Sequence, residues 1–265
     1  VALPAANVLT LQDVARRFPN RTAGAPTFTA VRNLSFKVEK GEFVSIVGPS
    51  GCGKSTLLNL VAGLDRPSEG SVSLHGVEVA GPSSNVGFML QKDLLLPWRT
   101  VLHNVEFGLE ASNISKEERR ERALRELKRC RITEFADRYP YQISGGQRQR
   151  AALARTLAID PAVVLLDEPF SALDAQTKLV LQKSFAETIA GSGLTTLLIT
   201  HDLSEAVAMS DRILVMSDGP GRIVEEIDVG LPDRDNPIAR MATQRASEIV
   251  AHLFHALHIE ERTDA

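Results

Sequence analysis

Tryptophan occurs once, at Trp98, tyrosine twice, and cysteine only at Cys52 and Cys130 in 265 residues. Two cysteines cannot staple a small secreted scaffold, so the fold must rest on an apolar core, and a reducing, cytoplasmic compartment is the expectation. Long apolar runs are missing too: the longest, Ala162 to Leu166, has five residues, against roughly 20 for a helix that crosses a bilayer. The opening residues VALPAANVLTL carry neither the basic region nor the apolar stretch of a secretory signal. Excess positive charge is absent as well. Lys and Arg number 30 against 33 Asp and Glu, a formal charge of −3, which argues against binding nucleic acid by bulk electrostatics. There is no internal repeat, low-complexity tract or long linker. What remains is ordinary globular composition, 43% hydrophobic and 24% charged, enough to bury the core of one compact domain and too apolar for intrinsic disorder.

Alternation through Leu9–Leu11 and again through Leu34–Val38 predicts two half-buried strands, joined by the Pro- and Gly-containing loop Pro19–Pro26. Phe43–Val47 reads as a strand that runs into a Gly-rich turn and then a buried helix over Ser55–Leu64, ending near Gly63. Short strands around Ser71–Leu74 and Val86–Met89 are expected to be antiparallel. From residue 100 to 158 the pattern is mainly helical, with Ser115 and Glu118 spaced as a capping box. Val163–Leu166, Thr195–Ile199 and Ile213–Met216 are short apolar runs separated by helices, which is what a parallel sheet covered on both faces requires. Ile249, Val250, Leu253, Phe254 and Leu257 fall on one face of a final docking helix.

Gly48-Pro49-Ser50-Gly51-Cys52-Gly53-Lys54-Ser55 fits G-x-x-x-x-G-K-[ST] between a strand and a helix. Glycines let successive N–H groups converge on phosphate oxygens, and the helix that follows presents its positive end to the anion. Lys54 adds a cation toward the outer phosphates, and the Ser55 hydroxyl is an oxygen ligand suited to Mg²⁺. Cys52 is read as loop filler, the rival being a thiol nucleophile for which no base stands at a fixed spacing.

Asp167 and Glu168 end the run Val163–Leu166, at the sheet edge where open parallel sheets bind ligands. Asp167 suits the metal and Glu168 the attacking water. His201 leaves the next apolar strand at the same edge, where it can meet a γ-phosphate or simply be a satisfied polar residue. Ser171–Asp174 follows the acidic pair. Ile143-Ser144-Gly145-Gly146-Gln147 is a second Gly-containing turn opening a helix, 90 residues beyond Lys54. One loop already serves one side of a nucleotide, so a second cradle makes sense if it closes on the nucleotide of another copy of the chain.

These residues, in this order and spacing, resemble the ATPase subunit of an ATP-binding cassette (ABC) transporter over nearly the whole chain. The resemblance implies an α/β fold: a P-loop NTPase core with a mainly parallel sheet, an antiparallel β subdomain and an inserted α-helical subdomain. It divides the single nucleotide-binding domain, 1–265, into an antiparallel part with the phosphate loop (1–90), a helical part (91–158), the acidic-pair core (159–230) and the C-terminal helix (231–265). It implies that Gly48 to Thr56 hold the phosphates of ATP, that Ser55, Gln91 and Asp167 meet Mg²⁺, that Glu168 is the general base with His201 and Gln91 beside it, and that Phe18 stacks on adenine, core packing being that ring's rival role. Ser144 and Gly146 would complete the site of the opposite subunit in an ATP-bound homodimer, and Gly145, Gln147 and Asp174 are further ATP-binding residues by the same resemblance. Ile143 stands where the family usually has Leu, and Phe18 where Tyr is commoner; neither change removes the chemistry.

A narrower resemblance, to the nitrate, sulfonate and taurine branch of bacterial importers, rests on the segments Leu94–Val105 (LLLPWRTVLHNV) and Gly219–Ile227 (GPGRIVEEI). It implies a membrane permease and an external solute-binding protein as partners, no nucleic acid, and a peripheral position on the cytoplasmic face of the inner membrane. The LLLPW segment would receive a permease helix, or else pack in the core. An exporter or lipid-transporter ATPase and a soluble ATP-dependent scaffold remain alternatives. The run Lys116–Arg122 is read as a solvated helix face. His252, His255 and His258 are spaced in threes, a period that drifts around a helix and leaves a metal site without a fourth ligand.

Overall fold

Strand periodicity and apolar runs translate directly into elements in the computed structural model, which describes residues 7–19 and 27–257. The first part supplies β1 (Asn7–Phe18), β2 (Phe28–Glu39), β3 (Phe43–Val47), α1 (Lys54–Val61), β4 (Glu69–Leu74), β5 (Val77–Glu78) and β6 (Val86–Met89). Helices α2 (Val101–Glu106), α3 (Lys116–Arg129) and α4 (Gly145–Ala158) fill the middle. The remainder runs β7 (Val163–Asp167), α5 (Ala175–Ala190), β8 (Thr195–Ile199), α6 (Leu203–Met209), β9 (Arg212–Met216), β10 (Ile223–Asp228), α7 (Pro237–Met241) and α8 (Gln244–Ala256).

The central sheet has the order β10-β9-β3-β8-β7-β6, and only β10 is antiparallel to its neighbour. Strands β3 and β8 are buried along their whole length and β7 up to Leu166. Both their faces are covered, which explains why these strands lack alternation. Because the strands are parallel, β3, β6, β7 and β8 all deliver their C-terminal residues to one edge. The second sheet, β2-β1-β4-β5, is antiparallel throughout, with Leu9 opposite Val38 and Leu74, and Leu11 opposite Phe36 and Val72. Its apolar face shares one core with Leu57, Leu58 and Val61 of α1 and with Val44, Leu165 and Leu197 of the central sheet. On the other side of the central sheet, Val101, Leu102, Ala123, Leu127 and Leu153 of the helical insertion join Phe170 and Phe185.

Three expectations change. Val86–Met89 is parallel, not antiparallel: β6 pairs with β7 from Val86↔Val163 to Met89↔Leu166. The whole helical insertion lies between these two strands, and a crossover of that length is what parallel pairing needs. The capping box at α3 is half formed. Ser115 Oγ accepts from Glu118 N at 3.1 Å, but the Glu118 carboxylate turns outward to Arg122, 2.7 Å away. On α8, Ile249 and Leu253 are buried against α6 and β9, whereas Phe254 is exposed.

The C-terminal part is fastened by one buried charge. Arg240 is 2% exposed and donates to the carbonyls of Ala208 (3.0 Å), Ser210 (2.7 Å) and Leu231 (3.2 Å). Arg240→Ala orphans three acceptors, so a loss of about 3 kcal/mol in urea or thermal unfolding is expected. A change below about 0.5 kcal/mol, the scale of an ordinary surface substitution, would contradict this role. Among the described residues no helix is long and apolar enough to cross a membrane.

Candidate functional site

Gly48 to Gly53 connect β3 to α1 as a loop whose turns need glycine: φ is +79° at Gly51 and +102° at Gly53. No side chain caps α1, so its first amides stay uncommitted and its positive end faces outward. Lys54 is buried and folds back, Nζ donating to the carbonyls of Gly48 (2.7 Å) and Pro49 (2.9 Å), which braces the loop. The loop opens on a cleft of about 310 Å³. Ser50, Gly51 and Gly53 to Thr56 form one wall, Phe18, Phe28 and Ala30 another, and Glu168 also lines it. Cys52 points away from the cleft and is fully buried, its Sγ 3.9 Å from Lys54 Nζ. Burial pushes its thiol up despite the nearby ammonium, so the nucleophile reading falls away.

Phe18 ends β1 opposite Phe28 of β2. The Arg16 guanidinium sits 4.5 Å from the Phe18 ring centroid and is held at 2.7 Å by Asp65. A cation over a ring face is a favourable contact, and it leaves the opposite face for a second flat partner. The Pro19–Pro26 loop falls outside the described residues from 20 to 26.

Asp167 closes β7, and Glu168 follows with φ +46°, in the left-handed region. That conformation costs a non-glycine residue about 1–2 kcal/mol, and the surroundings impose it. Glu168 N donates to Ile199 O (2.9 Å), while Ser171 N and Oγ both donate to Glu168 O (3.2 and 3.0 Å). The Glu168 carboxylate, thrown toward the cleft, meets His201 Nδ1 at 3.0 Å. Burial, and then the Glu168 charge, push the Asp167 carboxyl above its ordinary value, opposed by Lys54. Two carboxylates this crowded call for a cation. Of the three expected metal residues Ser55 alone lines the cleft, while Asp167 and Gln91 do not; each carries an oxygen donor of the kind Mg²⁺ prefers.

Gln91 does not line the cleft. Its Nε2 donates to Ser171 Oγ (3.0 Å), tying the segment after β6 to the turn after the acidic pair. Asp174 caps α5 by accepting from Thr177 N (2.9 Å), and those Thr177 hydrogen bonds hold its carboxyl low. Ser144 caps α4 in a complete capping box: its Oγ accepts from Gln147 N (3.3 Å) and Gln147 Oε1 accepts from Ser144 N (2.7 Å). Ser144, Gly146 and Gln147 line a different depression, of about 370 Å³, together with Thr177 and Leu181 of α5. None of residues 144–147 lines the phosphate-loop cleft. One chain therefore carries both cradles without joining them.

Two features escaped the sequence. Phe28 lines the cleft beside Phe18, a cross-strand placement with no local motif. Lys178 Nζ lies 2.8 Å from both Asp202 Oδ2 and Glu205 Oε2, fastening α5 to the turn that carries His201. Burial alone would raise the Asp202 carboxyl, yet the Lys178 hydrogen bond and charge hold it below its ordinary value. Lys178 stands one helical turn after Asp174, the only local hint of this link. Of the C-terminal histidines, His252 pairs with Glu225 (2.6 Å). No metal-holding cluster occurs among the described residues, and His258 lies outside them.

A phosphate loop, a positive helix end and a carboxylate pair at one edge of a parallel sheet define a nucleoside-triphosphate-binding α/β core. Residues 31–171 match the family model described as ABC transporter. The chain is 50% identical over 202 residues to an ABC transporter ATP-binding protein of Methanocaldococcus jannaschii, covering 76% of each. It is 45% identical over 205 residues to the taurine import ATP-binding protein TauB of Yersinia pestis, covering 77% of this chain and 80% of TauB. Among solved structures, the ATP-binding cassette MJ0796, dimeric in a post-hydrolysis state with ADP and Pi, superposes with a TM-score of 0.71 at 35% identity, covering 83% of this chain and 98% of that one. The chain belongs to the ABC transporter family. It is an ATP-hydrolysing subunit whose substrate is ATP and whose metal is Mg²⁺.

Proposed function

We propose that this ATPase powers import of a small anionic solute, such as nitrate, a sulfonate or taurine, through a membrane permease supplied by a solute-binding protein, and works at the cytoplasmic face of the membrane. The observation that carries the importer reading is the 45% identity to TauB across about four-fifths of both chains.

In the proposed site the amides of Gly51 to Thr56 and the Lys54 ammonium bind the outer phosphates, and Phe18 stacks on adenine with the face that Arg16 leaves free. Ser55, Gln91 and Asp167 would hold Mg²⁺, which when bound would supply positive charge beside the phosphates. Glu168 takes the proton of the attacking water, and His201, on Glu168 Oε2, fixes the carboxylate's orientation. Ser144, Gly145, Gly146, Gln147 and Asp174 act on the nucleotide of a second copy, a reading supported by the separation of the two cradles and by the dimeric state of the MJ0796 structure.

Docking to the permease divides the LLLPW segment. Leu95 is core, Leu96 half-buried, while Leu94 (53%) and Trp98 (72%) are exposed. This segment is bound to α4, the helix opened by Ser144–Gln147: Arg155 donates to the carbonyls of Leu94 (2.7 Å) and Asp93 (2.6 Å), and Arg148 Nε pairs with Asp93 (3.1 Å). A permease helix on Leu94 and Trp98 would thus push on α4 directly. Capture of Glu168→Gln from native membranes with ATP present is expected to retain a multi-spanning permease; recovery of soluble or nucleic-acid partners alone would overturn transport. Leu94→Ala with Trp98→Ala should lower the retained permease by roughly tenfold, the scale of losing two exposed apolar anchors, with ATP hydrolysis by the isolated chain unchanged.

A further inference from the structure

The Gly219–Gly221 turn, set apart in the sequence but given no task by the ATP site, closes the back of the phosphate loop. Gly221 is buried. Its N–H donates to Ala30 O and its carbonyl accepts from Arg32 N, both at 2.9 Å, so the turn adds a short parallel bridge to β2 at Val31. A Cβ built on Gly221 would lie 1.9 Å from the carbonyl oxygen of Cys52 and 2.6 Å from Met216 Cε. The contact at 1.9 Å is with backbone, so it can be relieved only by moving the peptide itself. Gly221 is not in the left-handed region, so the demand there is for space alone. The same stretch of β2 presses on the loop from another side: a Cβ on Gly53 would meet Val31 Cγ1 at 2.5 Å and Ala30 O at 2.8 Å.

The geometry points to Gly221 as a positioning residue for nucleotide binding, which with Ala30 and Val31 forms a rear seat that aims the Gly53 N–H at phosphate. The link is peptide planarity. In a trans peptide the C=O and N–H point in opposite directions. The Cys52 carbonyl faces rearward onto Gly221, so the N–H of the same peptide, that of Gly53, faces forward to the cleft that Gly53 lines. A methyl at 221 must push the Cys52 carbonyl and tilt that plane, turning an amide away from the anion without touching any cleft side chain. Ala30 itself lines the cleft, so the seat also fixes the phosphate loop relative to the strand pair that bears Phe18 and Phe28.

This inference rests on the ATP site and is independent of the importer reading. The test compares Gly221→Ala with Gly219→Ala, whose added methyl meets nothing within 4 Å, in the full chain. Titration with Mg-ADP should show Kd raised roughly tenfold or more in Gly221→Ala, the effect of weakening one charge-assisted hydrogen bond. KM for ATP should rise in parallel, with kcat at saturation within about twofold and Gly219→Ala like the parent. A role in stability alone would lower the melting temperature and leave Kd of the folded protein unchanged, which overturns the proposal, as does an equal shift in Gly219→Ala. If Gly221→Ala does not fold, Val31→Ala decides: it loosens the seat at Gly53 instead of crowding it, and must likewise raise Kd several-fold, an unchanged Kd being fatal. Lys54→Ala and the parent alongside separate the two readings: affinity for Mg-ADP lost in Lys54→Ala but unchanged in Gly221→Ala overturns the seat alone, whereas no Mg-ADP binding by the parent would remove the phosphate site and the seat with it.

Discussion

Glu168→Gln should lower kcat for ATP hydrolysis by about 10³-fold, within the range that general-base catalysis contributes, while Mg-ATP binding stays within about twofold. The substitution is isosteric and keeps what holds the residue in place. The backbone bonds to Ile199 and Ser171 do not involve the side chain, so the left-handed turn survives. An amide oxygen can still accept from His201 Nδ1, 3.0 Å from the present carboxylate oxygen. What disappears is the ability to take a proton. Removing one of two crowded negative charges also relieves the pressure on Asp167, whose carboxyl is pushed up by burial and by Glu168, so metal binding should not weaken. With cleavage stopped, the two-cradle arrangement predicts that ATP-bound dimers accumulate, visible as a doubled mass in size-exclusion chromatography with light scattering. Turnover near the parent rate would remove Glu168 from the role of base and pass it to another group at the sheet edge.

The candidate site at the sheet edge was legible in the sequence because each residue proposed there lies within a few positions of a strand end. Asp167 and Glu168 follow Val163–Leu166, His201 follows Thr195–Ile199, and the phosphate loop follows Phe43–Val47. Once those runs are recognised as parallel strands, placing the residues is a matter of topology. Contacts between side chains remote in sequence left no such signal. Lys178 meets Asp202 across 24 positions, and Phe28 reaches the cleft only because its register sets it opposite Phe18. The direction of Val86–Met89 is not legible in its own residues because four positions carry too little pattern to distinguish the two kinds of pairing, and the deciding fact, the long helical crossover to β7, lies outside the strand. Phe254 differs for a related reason: periodicity defines an apolar face on a helix, but the width of that face that is covered depends on the neighbours, which bury Ala246, Ile249 and Leu253, half-bury Val250 and Leu257, and leave Phe254 exposed.

Lys54→Ala should produce the opposite signature, with binding rather than chemistry lost. The Nζ is buried and donates to the carbonyls of Gly48 and Pro49, so in the free loop the ammonium serves as a brace. Next to phosphates it can exchange a neutral carbonyl partner for an anionic one, a substitution that favours the bound state because hydrogen bonds to charged groups contribute about 1.5–3 kcal/mol against about 1 for neutral ones. Alanine removes the charge and slackens the loop together. An increase in Kd for Mg-ATP of about 10²-fold is expected from roughly 3 kcal/mol, read by calorimetric titration, with little dimer formed at concentrations that saturate the parent. Arginine should not restore binding, because its planar fork is longer and broader than a site built around a compact ammonium. Unchanged Kd in Lys54→Ala would mean that the loop amides and the α1 terminus suffice, and the lysine would then have to act in the transition state, where its loss appears in kcat alone.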